Sequence, residues 1–175
     1  MINQSAKVAP LSRIDIRKIT NAIKQQFHIP FDKPFPVVKF VEYALTELGL
    51  DYEILPDKDM SGVYAETVPE QGLLRISETT YDGACDGVPR DRFTIAHEIG
   101  HLLLHTPNRV IFTRSDNEIK PYENPEWQAN TFAGELLVSM DFIQGLPVDS
   151  IAKKYEVSLD VASIQKGMSP QQTPV

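Results

Sequence analysis

The chain is 175 residues long, with 42% hydrophobic residues and a formal net charge of −7. This length suits one domain with a single apolar core. The acidic net charge argues against broad binding to nucleic acid or anionic lipid, so we expect protein or peptide partners. No segment approaches the roughly 18 to 20 apolar residues of a membrane span, and the N-terminus lacks the apolar stretch of a secretion signal. The single cysteine cannot form an internal disulfide. We therefore expect a soluble cytoplasmic protein.

Two amphipathic helices are predicted in the N-terminal third. Residues 1–13 are polar and are expected to be loose, and apolar residues from Ile14 to Phe27 then recur at helical spacing. Three prolines between residues 30 and 36 prevent this helix from continuing. A second apolar stripe follows in PVVKFVEYALTELGL, residues 36–50, and Gly49 is expected to end that helix.

Three short extended segments come next and predict a small sheet. They are DYEIL (51–55), GVYAET (62–67) and GLLRISE (72–78), and turn-forming residues separate them. Their order predicts a sheet that is at least partly antiparallel. The following TTYDGACDGV (79–88), with its two glycines, is predicted to be a loop, and Pro89 to be the first residue of the next helix.

The C-terminal half predicts one longer helix and two shorter ones. Residues 106–125 are expected to be irregular, and Asn124 and Pro125 resemble the cap and first residue of a helix over EWQANTFAGELLVSMDFIQ, ended by Gly145. Two short helical patterns then flank a tight break at residues 156–158. This pair has the form of a helix-turn-helix unit, but its second helix, 158–165, has no Arg or Lys and contains Asp160. We therefore expect no direct binding to nucleic acid.

The stretch RDRFTIAHEIGHLLLH, residues 90–105, brings two of the four histidines one helical turn apart. His97 and His101 lie about 40 degrees apart around a helix, so both imidazoles can bind one ion, and such a pair suits zinc. Glu98 is rotated by about 100 degrees from His97, which is awkward for a ligand but suits a base. Gly100 leaves room for another element to approach closely. A core helix with merely hydrogen-bonded histidines is the alternative, and it is disfavoured because this pattern seldom arises by chance.

A third protein ligand must come from elsewhere in the chain, since catalytic zinc sites use three. His105 lies about 12 Å along the helix from His97, too far for ligands that each sit roughly 2 Å from one ion. His28, the fourth histidine, has no candidate ligands beside it in sequence. For His28 and His105 we expect a structural or surface role, and the third ligand is predicted to be a carboxylate.

Three glutamates around the second long helix are candidates for this carboxylate. They are Glu123, Glu126 and Glu135. Glu126 opens the helix, and Asn130 lies one turn later on the same side, so a carboxylate ligand and an amide that orients a neighbouring ligand could face one ion together. Spacing alone does not choose among the three.

The two helical segments together resemble the ImmA/IrrE family of zinc metallo-endopeptidases. The family patterns RFTxAHExGHxxLH and ExxANxFAxxLL read here as RFTIAHEIGHLLLH (92–105) and EWQANTFAGELL (126–137). The resemblance implies a zincin-like α+β metalloprotease core, with a small sheet packed on the active-site helix. It also implies zinc on His97 and His101, Glu126 as third ligand and Glu98 as catalytic acid and base.

The same resemblance sets the expected organisation of the chain and its activity. A loose N-terminus (1–13) would precede a zincin-like metallopeptidase domain (14–145), a C-terminal helical pair packed on that domain (146–166) and a flexible tail (167–175). The implied activity is zinc-dependent cleavage of one specific protein, a helix-turn-helix repressor of a mobile element, a stress response or a toxin–antitoxin locus. The alternative is a metal-bound regulatory or toxin module that binds its partner without cleaving it.

The nature of residue 98 favours the enzyme over the binding module. A purely structural zinc site has no use for a base beside its first ligand, and Glu98 is such a base. Peptide hydrolysis also needs a donor that stabilises the tetrahedral oxyanion. Arg92, His105 and Tyr122 are the candidates for that donor, and the sequence does not rank them.

Overall fold

The structure, a computed structural model, describes residues 5–106, 110–113 and 119–168. In chain order its main elements are β1 (Ser5–Val8), α1 (Arg13–Gln26), α2 (Val37–Lys39), α3 (Leu45–Glu47), β2 (Asp51–Leu55), β3 (Ala65–Val68), β4 (Leu73–Ser77), α4 (Glu78–Cys85), α5 (Pro89–Leu104), β5 (Val110–Thr113), α6 (Pro125–Leu137), α7 (Val148–Tyr155) and α8 (Leu159–Met168). Within these ranges, none of the helices has the length and apolar character needed to cross a membrane.

The first two predicted helices are confirmed. Helix α1 begins with a capping box of two reciprocal hydrogen bonds. The Ser12 hydroxyl accepts from the backbone N–H of Asp15, and the Asp15 carboxylate accepts from the backbone N–H of Ser12. The helix buries one face against α6. The second stripe forms α2 and α3, which are joined without a break by a π-helical turn, Phe40–Ala44.

The small sheet is confirmed as partly antiparallel. Its strand order is β2-β4-β3, with β2 parallel and β3 antiparallel to β4. Strand β2 has the predicted bounds, whereas β3 begins at Ala65, three residues later than GVYAET predicts. Both β3 and β4 contact α5, so one end of the sheet lies against the helix that carries the paired histidines.

Residues 79–88 are not the predicted loop, because helix α4 occupies most of them. The Ser77 hydroxyl caps this helix by accepting from the Thr80 backbone N–H. Gly83 indicated a break in the sequence, but its role is to let α4 approach α5: a Cβ there would lie 2.0 Å from Asp91 Oδ2. The glycine is needed for close packing between two helices and does not end the first.

Two further segments differ from the sequence prediction. Residues 5–8, expected to be loose, form β1, which pairs antiparallel with β5 in the segment expected to be irregular. Helix α6 ends at Leu137 and does not continue to residue 144, because Val138 is extended and is followed by a 3-10 turn at Met140–Phe142. Leu137 and Val138 are both buried, so the apolar pattern continues where the helix stops.

Helices α5 and α6 pack closely together at the centre of the molecule. Gly100 permits this packing, as predicted, since a Cβ at this position would lie 3.0 Å from the Phe132 ring. Glu156, in the left-handed conformation, makes the predicted tight break between α7 and α8. Tyr155 and Ala162 from this pair join the same apolar core as α5 and α6. The core therefore fixes the relative positions of the two helices that carry the candidate site.

Candidate metal centre

Helix α5 presents His97 and His101 on one face. Pro89 occupies the first turn of this helix, as predicted. The two Nε2 atoms lie 3.0 Å apart. Both side chains are largely shielded, with 17% and 16% of their surface exposed. Two imidazole nitrogens therefore point at one small volume.

Glu126 reaches the same volume from the start of α6. The Asn124 side chain caps this helix, accepting from the Trp127 backbone N–H, and so fixes the first turn in which Glu126 lies. Glu126 Oε2 lies 3.4 Å from His97 Nε2, and Glu126 Oε1 lies 3.2 Å from His101 Nε2. The carboxylate thus completes a group of three potential ligands that could hold a metal ion.

The spacing of these atoms fits a tetrahedral ion. Ligands about 2.0 to 2.1 Å from zinc, at the tetrahedral angle, are separated from one another by about 3.3 Å. The two imidazole nitrogens here are 3.0 Å apart, and each has one Glu126 oxygen near that distance: Oε1 is 3.2 Å from His101 Nε2, and Oε2 is 3.4 Å from His97 Nε2. Two imidazoles and one carboxylate are also the donor set that catalytic zinc sites use. The residues therefore fit zinc in geometry and in chemistry.

The outer nitrogens of both histidines are occupied by other side chains. His97 Nδ1 lies 2.9 Å from Asn130 Oδ1, so the Asn130 amide contacts one of the two candidate ligands, as the sequence predicts. His101 Nδ1 lies 2.9 Å from His105 Nδ1. Partners at Nδ1 orient the rings, and they leave the Nε2 atoms facing each other and the carboxylate.

Glu98 lies at the edge of the three-residue group and is only 15% exposed. Its Oε1 is 4.0 Å from His97 Nε2, farther than the Glu126 oxygens. The pKa of Glu98 is raised to about 7, mainly by burial and in addition by the negative charges of Glu126 and Glu66. A carboxyl group with such a pKa can both accept and release a proton near neutral pH.

The pKa of His101 shifts in the opposite direction. Burial lowers it to about 4, and the neighbouring His97 contributes to the decrease, while Glu126 opposes it. His101 is therefore a neutral imidazole at neutral pH, which is the form that binds a metal ion.

The two other candidate carboxylates are engaged elsewhere. Glu135 is buried, and its oxygens accept from Arg13 at 2.9 Å and from Arg17 at 2.8 Å, both on α1. Glu123 pairs with Lys7 at 2.8 Å. Among the residues that the structure describes, only Glu126 forms a ligand group with the two histidines.

The candidates for an oxyanion donor also lie in different places. Arg92 is buried and donates to the backbone carbonyls of Phe35, at 3.1 Å, and of Glu156, at 3.2 Å, so it ties α5 to neighbouring segments. His105 is buried behind His101. Tyr122, 39% exposed, is the most accessible of the three. His28 is exposed, has a left-handed backbone conformation and is not part of the three-residue group.

One residue in these contacts, Gln128, was not singled out from the sequence. It is fully buried, and its Oε1 lies 3.0 Å from His105 Nε2. The only signal in the sequence is a polar residue within the apolar stretch of α6, and that signal does not indicate a partner.

A helix with paired histidines, a small mixed sheet against it and a second helix bearing a carboxylate define the zincin-like class of α+β metallopeptidase folds. Residues 83–165 match the family described as Peptidase_M78: IrrE N-terminal-like domain, a family of metallopeptidases. The match covers just under half of the chain, and it confirms the resemblance to ImmA/IrrE proteins.

The fold is also similar to that of a solved structure, a Mycobacterium tuberculosis transcriptional regulator. The two share 14% sequence identity and superpose with a TM-score of 0.56 over 91% of this chain and 48% of the regulator. The chain therefore spans about half of that protein. No curated protein matches the chain in sequence at a significant level.

Proposed function

We propose that the protein is a zinc-dependent endopeptidase in which His97, His101 and Glu126 hold the metal and Glu98 transfers protons. The observation that carries this proposal is the convergence of two imidazoles and a carboxylate, at separations of 3.0 to 3.4 Å, beside a shielded glutamate. The match of residues 83–165 to a metallopeptidase family also supports it.

The chain's own residues would divide the chemistry between them. Zinc, when bound, would act as a Lewis acid toward water and the scissile carbonyl. Glu98 would take a proton from the attacking water and pass it to the leaving amine nitrogen, and a pKa of about 7 suits both transfers. Asn130 and His105 would hold the two histidine rings in place through their contacts at Nδ1.

The unpaired edge of strand β3 supports a polypeptide substrate. Strand β3 lies at the end of the strand order, contacts α5, and in the described part of the chain pairs only with β4. Its other edge can therefore accept an extended peptide by backbone hydrogen bonding. We propose that the substrate is a helix-turn-helix regulator, as the ImmA/IrrE resemblance implies.

Two variants and a protein substrate test this function. Glu98→Gln is expected to retain zinc and to lose cleavage, because an amide cannot accept the proton. His97→Ala is expected to lose the metal as well as activity. Zinc content would be measured by mass spectrometry, and cleavage would be followed with the regulator encoded by the neighbouring gene. Cleavage by Glu98→Gln would contradict the proposal, and tight binding of intact regulator by zinc-loaded wild type would favour a module that sequesters its partner.

A further inference from the structure

Behind His101 a continuous chain of side-chain hydrogen bonds runs through the protein interior. His101 Nδ1 lies 2.9 Å from His105 Nδ1, and His105 Nε2 lies 3.0 Å from Gln128 Oε1. Gln128 Nε2 lies 2.9 Å from the Ala9 carbonyl oxygen and 2.7 Å from that of Tyr122. His105 and Gln128 are 5% and 0% exposed, so these contacts are shielded from water.

The two carbonyl groups at the end of this chain fix the orientation of the Gln128 amide. A backbone carbonyl oxygen can only accept a hydrogen bond, so the atom facing Ala9 and Tyr122 must be the NH2 group. Rotating the amide by half a turn would place its oxygen against two other oxygens inside the protein. Gln128 Oε1 therefore faces His105 and acts there as an acceptor.

This orientation determines where the protons lie on both histidines. Since Gln128 Oε1 accepts, His105 Nε2 carries a proton and donates it. A neutral imidazole has one N–H, so His105 Nδ1 is then an acceptor, and its partner, His101 Nδ1, must be the donor. With its proton on Nδ1, His101 has a lone pair on Nε2, and that lone pair faces His97 and Glu126.

We propose that His105 and Gln128 are positioning residues that hold His101 in the tautomer protonated on Nδ1, with its Nε2 lone pair directed at the metal position. The inference rests on the proposed function, since it assigns these residues to a zinc centre. It assigns a role to His105, which is too far along α5 to be a ligand itself. The carbonyls of Ala9 and Tyr122 anchor the chain, so segments far apart in sequence set the state of one ligand.

The tautomer of His101 can be observed directly in the unmodified protein without metal. Long-range proton–nitrogen correlation spectra of the untagged, 15N-histidine-labelled chain distinguish the two neutral tautomers. Only four histidines contribute, and His28→Asn removes one signal for assignment at an exposed position whose left-handed backbone asparagine tolerates. We expect His101 to carry its proton on Nδ1. A proton on Nε2 would overturn the proposal.

A matched pair of variants measures the effect on metal binding. His105→Leu removes the acceptor for His101 Nδ1, whereas His105→Asn keeps an oxygen close to where His105 Nδ1 now lies. We expect the zinc dissociation constant, from competition with a chelating indicator, to rise by about 10- to 100-fold in the leucine variant. The asparagine variant should recover most of this loss, and His28→Asn should behave as wild type. Circular dichroism would confirm that each variant compared is folded.

The outcomes separate this inference from the proposed function. Wild type that binds zinc tightly, together with unchanged affinity in a folded His105→Leu variant, would contradict the positioning role and leave the peptidase proposal standing. Wild type that shows the Nδ1 proton on His101 but does not bind zinc would contradict the proposed function and support the hydrogen-bond assignment. Equal losses in the leucine and asparagine variants would also overturn the positioning role, because the restored acceptor would then have no effect.

Discussion

Replacing Lys24 by methionine should change the way in which the stability of the fold depends on pH. Lys24 is 2% exposed, and its ammonium group donates to the Glu135 carbonyl at 3.1 Å and to the Ser139 hydroxyl at 2.9 Å. Burial lowers the pKa of Lys24 from 10.5 to about 8, although the nearby Glu135 charge opposes this. The folded protein therefore releases this proton at lower pH than the unfolded chain.

The sign and size of the effect follow from the two pKa values. Between about pH 8 and 10.5 the unfolded chain holds one more proton than the folded protein at this site, so the free energy of unfolding rises with pH. The slope approaches about 1.4 kcal/mol per pH unit, and the full change is about 3 kcal/mol. Below pH 8 the charged ammonium destabilises the fold by this amount relative to high pH. Methionine is similar in length and does not titrate, so this contribution disappears in the variant.

Urea unfolding followed by far-ultraviolet circular dichroism, at unit steps from pH 7 to 10, measures this contribution. We expect wild type to gain stability relative to Lys24→Met by about 2 to 3 kcal/mol over this range. The quantity to compare is the difference in the free energy of unfolding between the two proteins, because the contributions of groups that titrate equally in both cancel in it. Tyr155, whose pKa burial raises to about 12, is one such group. Parallel pH profiles for the two proteins would refute the assignment of a buried, depressed lysine.

Three further substitutions test other parts of the structure. Glu126→Gln should weaken zinc binding by more than about a hundredfold, measured by chelator competition, because losing only the hydrogen-bond partner of a ligand costs roughly 10- to 100-fold. Glu135→Gln should lower the free energy of unfolding by about 3 to 5 kcal/mol, because two partly buried arginines lose their common carboxylate, while one zinc ion still binds. Gly100→Ala should destabilise the fold by about 1 to 3 kcal/mol in urea titrations, because the methyl group of the alanine meets the Phe132 ring. Unchanged stability would mean that α5 and α6 can separate readily.

The parts of the structure that the sequence predicted well have local causes. Helix α6 begins at Pro125 after the Asn124 cap, and both residues act within one turn of the chain. The pairing of His97 with His101 follows from helical periodicity alone. The contact between Asn130 and His97 was expected for the same reason, because Asn130 lies one turn beyond Glu126 on α6.

The parts that the sequence did not predict depend on distant partners. Gly83 lies in a segment whose composition is typical of a turn. Only the position of Asp91 in the fold shows that this glycine serves helix packing. Strand β1 exists through its pairing with β5, about a hundred residues away in the chain. Helical spacing alone did not distinguish Glu135 from Glu126 as a candidate ligand, whereas in the fold two arginines of α1 pair with Glu135. Local patterns cannot encode such pairings.

The N-terminal segment supports both ends of the helix that carries Glu126. Near the start of α6, the Ala9 carbonyl accepts from Gln128, and farther along the helix Arg13 and Arg17 neutralise Glu135. These residues lie outside the family match at 83–165, yet they satisfy polar groups of α6 that the core would otherwise leave unpaired. The Glu126 carboxylate on α6 can face the histidines of α5 only if α6 does not shift along its own axis relative to α5. Two sets of polar contacts fix that position more specifically than apolar packing alone. The geometry of the candidate centre therefore depends on Ala9, Arg13 and Arg17, which contribute no ligand to it.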